Sequence, residues 1–135
     1  MEPASAAITV LIVDDDARVR ESLRALLALD RRLQVVGEAA SVAEAVTLAA
    51  TLRPSVVLLD LELDTTHGLA LLGRWRREGL PVIALAVYPD TAAEALAAGA
   101  STCLLKDVPR QCLLAAIHRA HTQRMWPGHR CERSS

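Results

Sequence analysis

Short, uninterrupted apolar runs alternate along this chain with longer stretches in which apolar residues recur at helical spacing, and that alternation narrows the possible folds more than any other feature. The runs cover residues 8–13, 33–37, 55–59, 82–86 and 102–105. Between them apolar side chains return at i, i+3, i+4 and i+7, as at Val42, Ala45, Val46 and Ala49, or at Leu113, Ala116, Ile117 and Ala120. A strand that is apolar on both faces has to be covered on both sides, and a helix after every strand does this for a parallel sheet. The pattern predicts five strands and five helices in a doubly wound α/β domain. With 135 residues and 52% hydrophobic content, one core suffices, and a domain of this size removes roughly two thirds of its unfolded surface from water.

Local chemistry marks the joints. Ser41 with Glu44, and Thr91 with Glu94, have the form of capping boxes opening the second and fourth helices. Gly68 is expected to open the third helical segment, whose inward face carries Leu71, Leu72 and Trp75, and Gly99 to close the fourth. From Thr122 the periodicity is lost, which divides the chain into an extension (1–7), a domain (8–121) and a tail or linker stub (122–135), in which Trp126 could pack against the domain.

Composition excludes several functions. The net charge is −1, with acids and bases interspersed, so nothing acts as a general magnet for nucleic acid or anionic lipid. The apolar runs are far shorter than the ~20 residues of a membrane span, and residues 1–7 lack the regions of a secretory signal; a cytoplasmic setting is expected. Three cysteines, Cys103, Cys112 and Cys131, show no metal or redox spacing. The first two read as small buried hydrophobes and the third as exposed. His67, His118, His121 and His129 share no ligand spacing and read as surface or capping residues.

In doubly wound sheets ligands bind beyond the carboxyl ends of the strands, near the point where strand order reverses. The polar residues there are Asp14, Asp15 and Asp16 after the first strand, Asp60 at the end of the third, Tyr88 and Asp90 after the fourth, and Lys106 with Asp107 after the fifth. Helix capping accounts for Asp16 and Asp107. It does not account for two further acids after one strand, a third at the end of a buried run and a lysine at the end of another. Clustered carboxylates repel unless a cation lies among them, and an all-oxygen set of this kind suits Mg2+. A carboxylate so supported can act as nucleophile toward a phosphoryl group, with the lysine neutralising charge on the transferring oxygens.

The segments at 11–16 (LIVDDD), 35–39 (VVGEA), 56–61 (VVLLDL), 67–69 (HGL) and 98–107 (AGA…LLKD) resemble the receiver domains of two-component response regulators, over roughly residues 8–121. The resemblance implies a flavodoxin-like (βα)5 fold with strand order 2-1-3-4-5 and phosphorylation of Asp60 by a partner histidine kinase. It implies Mg2+ held directly by Asp15 and Asp60, by Asp14 largely through water and by the backbone carbonyl of Glu62, with Lys106 pairing with the phosphoryl group. Glu62 and Tyr88 would flank that group and tune its hydrolysis. Two positions depart from the family: Ala86 stands where a Thr or Ser is usual, and Cys103 where an inward-turning Tyr or Phe is usual. The loss of that hydroxyl removes a hydrogen bond worth about 1 to 3 kcal/mol to the phosphorylated state and leaves the usual readout incomplete. The resemblance is to receivers of the NarL and FixJ type, which precede a helix-turn-helix domain; none follows within 135 residues, so DNA contact would run through an output domain outside this chain. A homodimer is a further expectation. A phosphorylation-independent interaction module is the rival reading. The stretch 60–65 also superficially resembles the nucleophile loop of haloacid-dehalogenase-like phosphohydrolases, but Glu62 occupies the position of that family's second Asp.

Overall fold

A computed structural model describes residues 7–125, and Trp126, His129 and Cys131 lie outside the described residues. The elements follow in the order β1 (Ile8–Val13), α1 (Ala17–Leu27), β2 (Leu33–Ala39), α2 (Val42–Leu52), β3 (Val56–Asp60), α3 (Thr65–Arg77), β4 (Val82–Ala86), α4 (Pro89–Ala98), β5 (Thr102–Leu105) and α5 (Arg110–Met125). All strand pairs are parallel, in the order β2-β1-β3-β4-β5. This is the doubly wound arrangement that the alternation predicts, with the flavodoxin-like strand order that the resemblance implies.

Alternate residues of each strand feed two cores. Leu11, Val13, Val57, Leu59, Ala84 and Ala86 pack with side chains of α2, α3 and α4. Ile8, Val10, Ile12, Val56, Leu58, Ile83 and Leu85 pack with α1 and α5. Because successive strand residues face opposite sides, an apolar run serves both layers at once. Leu71, Leu72 and Trp75 are buried as expected, as are Leu113, Ala116, Ile117 and Ala120.

The β1–β2 ladder contains one irregularity. Val10 pairs with Val35 but Leu11 pairs with Gly37, so Val36 is the extra residue of a bulge and Glu38 lies opposite Ile12.

Several boundaries differ from the sequence reading. Helix α3 begins at Thr65, capped by Asp64, whose side chain accepts from the His67 amide. Gly68 therefore lies within its first turn, where a Cβ would come 3.2 Å from Leu61. Helix α4 begins at Pro89 rather than at a Thr91 cap; proline's fixed φ and missing amide suit the first helical position. Ser41 does cap α2, accepting from the Glu44 amide at 3.1 Å. Asp16 caps α1 through the Arg18 amide, whereas Asp107 precedes the start of α5 by three residues and is not its cap. The helix α5 continues past Thr122 to Met125. Cys112 is exposed, not buried: one residue before Leu113, it sits about 100° round the helix from the apolar stripe. Cys103 is half-buried. Among the described residues no helix is long and apolar enough to cross a membrane.

Candidate functional site

Strand β1 lies between β2 and β3, so the chain leaves β1 toward one edge of the sheet and β3 toward the other. At that switch point the carboxyl ends of β1 and β3 stand side by side, Val13 being paired with Leu59. Asp14 and Asp15 follow β1 and Asp60 ends β3. One carboxylate oxygen from each of Asp14, Asp15 and Asp60 falls within 4.8 Å of the others. Asp14 and Asp60 are buried, at 2% and 4% exposure, while Asp15 opens to solvent.

Lys106 reaches the cluster from the end of β5, its Nζ 2.9 Å from Asp60 Oδ1. The strand carries it there because the Lys106 amide donates to the Ala86 carbonyl, extending the β4–β5 ladder by one residue. Asp60 Oδ1 also accepts from the Glu62 amide at 3.0 Å. Neither bond engages Asp60 Oδ2. Glu62, reached through that turn, points its carboxylate across to β4, where Oε2 accepts from the Val87 amide at 3.1 Å.

Asp14 is held on three sides. Its amide donates to the Ala39 carbonyl at the end of β2, its Oδ1 accepts from the Asp16 amide at 2.9 Å, and its backbone carbonyl accepts from Arg20 Nη1 at 2.7 Å. Its Oδ2 is buried and has no hydrogen-bond partner. Burial pushes the Asp14 carboxyl above the usual aspartate value, and the neighbouring Asp60 adds to this against the Asp16 amide and Lys106. A buried carboxylate oxygen without a partner, on a residue clustered with two further carboxylates, fits a hard cation with oxygen ligands.

The site thus brings together Asp14, Asp15, Asp60 and Lys106, the residues singled out in the sequence, with Glu62 on the adjoining turn. Ala86, fully buried, ends β4 within the same apolar cluster that Cys103 packs against. Burial raises the Cys103 thiol to about 11, which keeps it protonated and poorly nucleophilic near neutral pH. Tyr88 and Val87, at 61% and 48% exposure, project from the β4–α4 loop. Sequence reasoning missed Arg20 and its partner Glu38, whose carboxylate takes Arg20 Nε at 2.9 Å and also Arg24. The apolar run legible in the sequence stops at Gly37, whereas β2 runs on to Ala39 and carries Glu38 within it, a half-buried acid that is stabilised by a cationic partner.

The model of the family described as "Response regulator receiver domain" matches residues 10–118. Among characterised proteins, the chain is 33% identical over 123 residues to the nitrate/nitrite response regulator protein NarL of Escherichia coli (strain K12), covering 88% of this chain and 55% of that protein. It is 39% identical over 119 residues to the nitrate/nitrite response regulator protein NarP of the same strain, covering 85% and 55%. The chain spans about half the length of the regulators it matches. Among solved structures, the signal receiver domain of the putative response regulator NarL from Mycobacterium tuberculosis superposes with a TM-score of 0.78 at 29% identity, over 87% of this chain and 98% of that one. A LuxR-family two-component response regulator from Aurantimonas gives 0.79 at 27%, over 88% of each.

Proposed function

Since this chain belongs to the response regulator receiver domain family, we propose that it is a phosphoacceptor of two-component signalling, with Asp60 taking a phosphoryl group from the phosphohistidine of a partner histidine kinase. The observation that supports this most is Asp60 itself, buried, in contact with Lys106 Nζ at 2.9 Å and within 4.8 Å of both Asp14 and Asp15. Lys106 and the Glu62 amide engage Oδ1, so we assign the attack on phosphorus to Oδ2. A P–O bond forms as the P–N bond breaks, the electron pair leaves with the imidazole, and that ring takes up a proton. Lys106 then offsets charge on the transferring oxygens. Asp15 and Asp60, with Asp14 and the Glu62 carbonyl, would hold Mg2+, which when bound supplies further positive charge to those oxygens. Hydrolysis of the acyl phosphate in the same pocket would end the signal, with Glu62 and Tyr88 flanking the departing group.

The functional unit in this reading is residues 8–121, with 1–7 an extension and 122–135 a linker stub whose first residues continue α5. The setting is the cytoplasm. Output would be transcriptional, through a DNA-binding domain outside this chain, with a homodimer as the assembly. The matched regulators NarL and NarP support this direction, in that both are response regulators. A second reading rests on Ala86 and Cys103: a module that binds partners without phosphorylation, because the hydroxyl and aromatic that usually report on Asp60 are replaced by a methyl and a thiol. Incubation with acetyl phosphate and Mg2+ separates the two. The expected result is a mass gain of one phosphoryl group that is absent in Asp60→Asn, and no gain under any donor would exclude the phosphoacceptor reading.

A further inference from the structure

We propose that Arg20 is a positioning residue for the cation end of the site, acting by holding the peptide of Asp14 rather than by its charge. The inference rests on the reading of Asp14, Asp15 and Asp60 as a cation site. Arg20 lies in the first turn of α1, and its side chain is only 18% exposed. One arm, Nη1, donates to the Asp14 carbonyl at 2.7 Å, and Nε is fixed by Glu38 on β2 at 2.9 Å.

The carbonyl of Asp14 belongs to the peptide that joins Asp14 to Asp15. Its orientation sets the direction of both side chains relative to Asp60. The Asp14 amide is already fixed by Ala39 and Oδ1 by Asp16, so Arg20 completes the restraint on a residue whose Oδ2 is buried without a hydrogen-bond partner. Glu38 reaches α1 because of the bulge at Val36, which sets it opposite Ile12, a residue of the α1/α5 core. Groups of this kind, one bond removed from a metal's ligands, usually change metal affinity 10- to 100-fold when removed.

Coulomb's law predicts the opposite sign. Deleting a positive charge near a cation site should tighten cation binding, whereas deleting a positioning group should weaken it.

The test titrates the full chain with Mg2+ alone by calorimetry, with folding monitored by circular dichroism. We expect Arg20→Ala to raise the Kd for Mg2+ about ten-fold or more, and Arg20→Lys, which keeps the charge and can still donate to the carbonyl, to recover part of the loss. A folded Arg20→Ala whose Kd is unchanged or lower overturns the proposal. Should Arg20→Ala fail to fold, Arg20→Met decides: it keeps most of the aliphatic stem but can neither donate to the Asp14 carbonyl nor carry charge, and a Kd equal to or below wild type overturns the idea equally. Asp15→Asn marks the reading beneath. If wild type binds no Mg2+, or Asp15→Asn binds as well as wild type, the cation site itself is refuted, an outcome distinct from an Arg20 variant that matches a binding-competent wild type.

Discussion

Asp14 is 2% exposed, with one carboxylate oxygen bonded to the Asp16 amide and the other without a partner, and it shares its surroundings with the buried Asp60. In the absence of a cation that pair is repulsive, so the cluster proposed to hold an ion is also a source of instability in the ion-free protein. Asp14→Asn should therefore stabilise the ion-free fold by roughly 1 kcal/mol and abolish most of the further stabilisation that the proposed Mg2+ binding would give wild type by mass action. Thermal unfolding of both proteins with EDTA and with excess Mg2+ checks it. A variant less stable than wild type in EDTA would contradict this account of the cluster. Cys103 offers a contrast at the same scale: burial raises its thiol to about 11, which leaves it a packing residue rather than a reactive one.

At the scale of single elements, the joints carry the strain. Gly99 ends α4 at φ +130°, and a Cβ there would meet the Leu72 carbonyl at 3.0 Å and Arg76 at 3.2 Å. Both terms act against a side chain, so Gly99→Ala should cost about 1 to 3 kcal/mol, measurable by urea denaturation. An unchanged midpoint would show that the α4–β5 joint relaxes freely. The packing of α4 on the sheet uses small residues on both sides, Ala84 and Ala86 of β4 sharing one core cluster with Ala95 of α4. Small side chains were legible in the sequence, but the start of α4 was not. Thr91 with Glu94 has the form of a capping box, and the preceding Pro89 prevailed because its φ is already helical and it has no amide to satisfy. The site acids, by contrast, were legible: each sits where a buried run ends, and the ends of parallel strands form one edge.

Across the whole molecule, two long-range polar links tie α1 and the loop after it to the rest. His118 on α5 contacts Asp30 at 2.7 Å, and Glu38 on β2 is bound by Arg24 and Arg20 on α1. The Arg24 hydrogen bond, followed by that of Arg20, holds the Glu38 carboxyl below the ordinary glutamate value of 4.5. A depressed folded value means that the contribution is fully present above about pH 4.5 and is lost as pH falls through the lower folded value. Compared with Glu38→Gln, wild type should be more stable at neutral pH by on the order of 1 kcal/mol, and that difference should vanish in acid. Chemical denaturation from pH 7 down to pH 2 reads it; a difference that persists at the acid end would assign the effect to packing. By itself the sequence determined the layers and the parallel sheet, from local periodicity, and put Asp14, Asp15, Asp60 and Lys106 at one edge, because the ends of parallel strands share it; the strand order that gathers them into one pocket was implied only by the resemblance. Only the tertiary structure decided which partners the other polar groups take. Without the bulge at Val36, Glu38 would pair with Val13 and face α2–α4; the extra residue turns it to α1, and register between strands distant in sequence leaves no mark in local pattern.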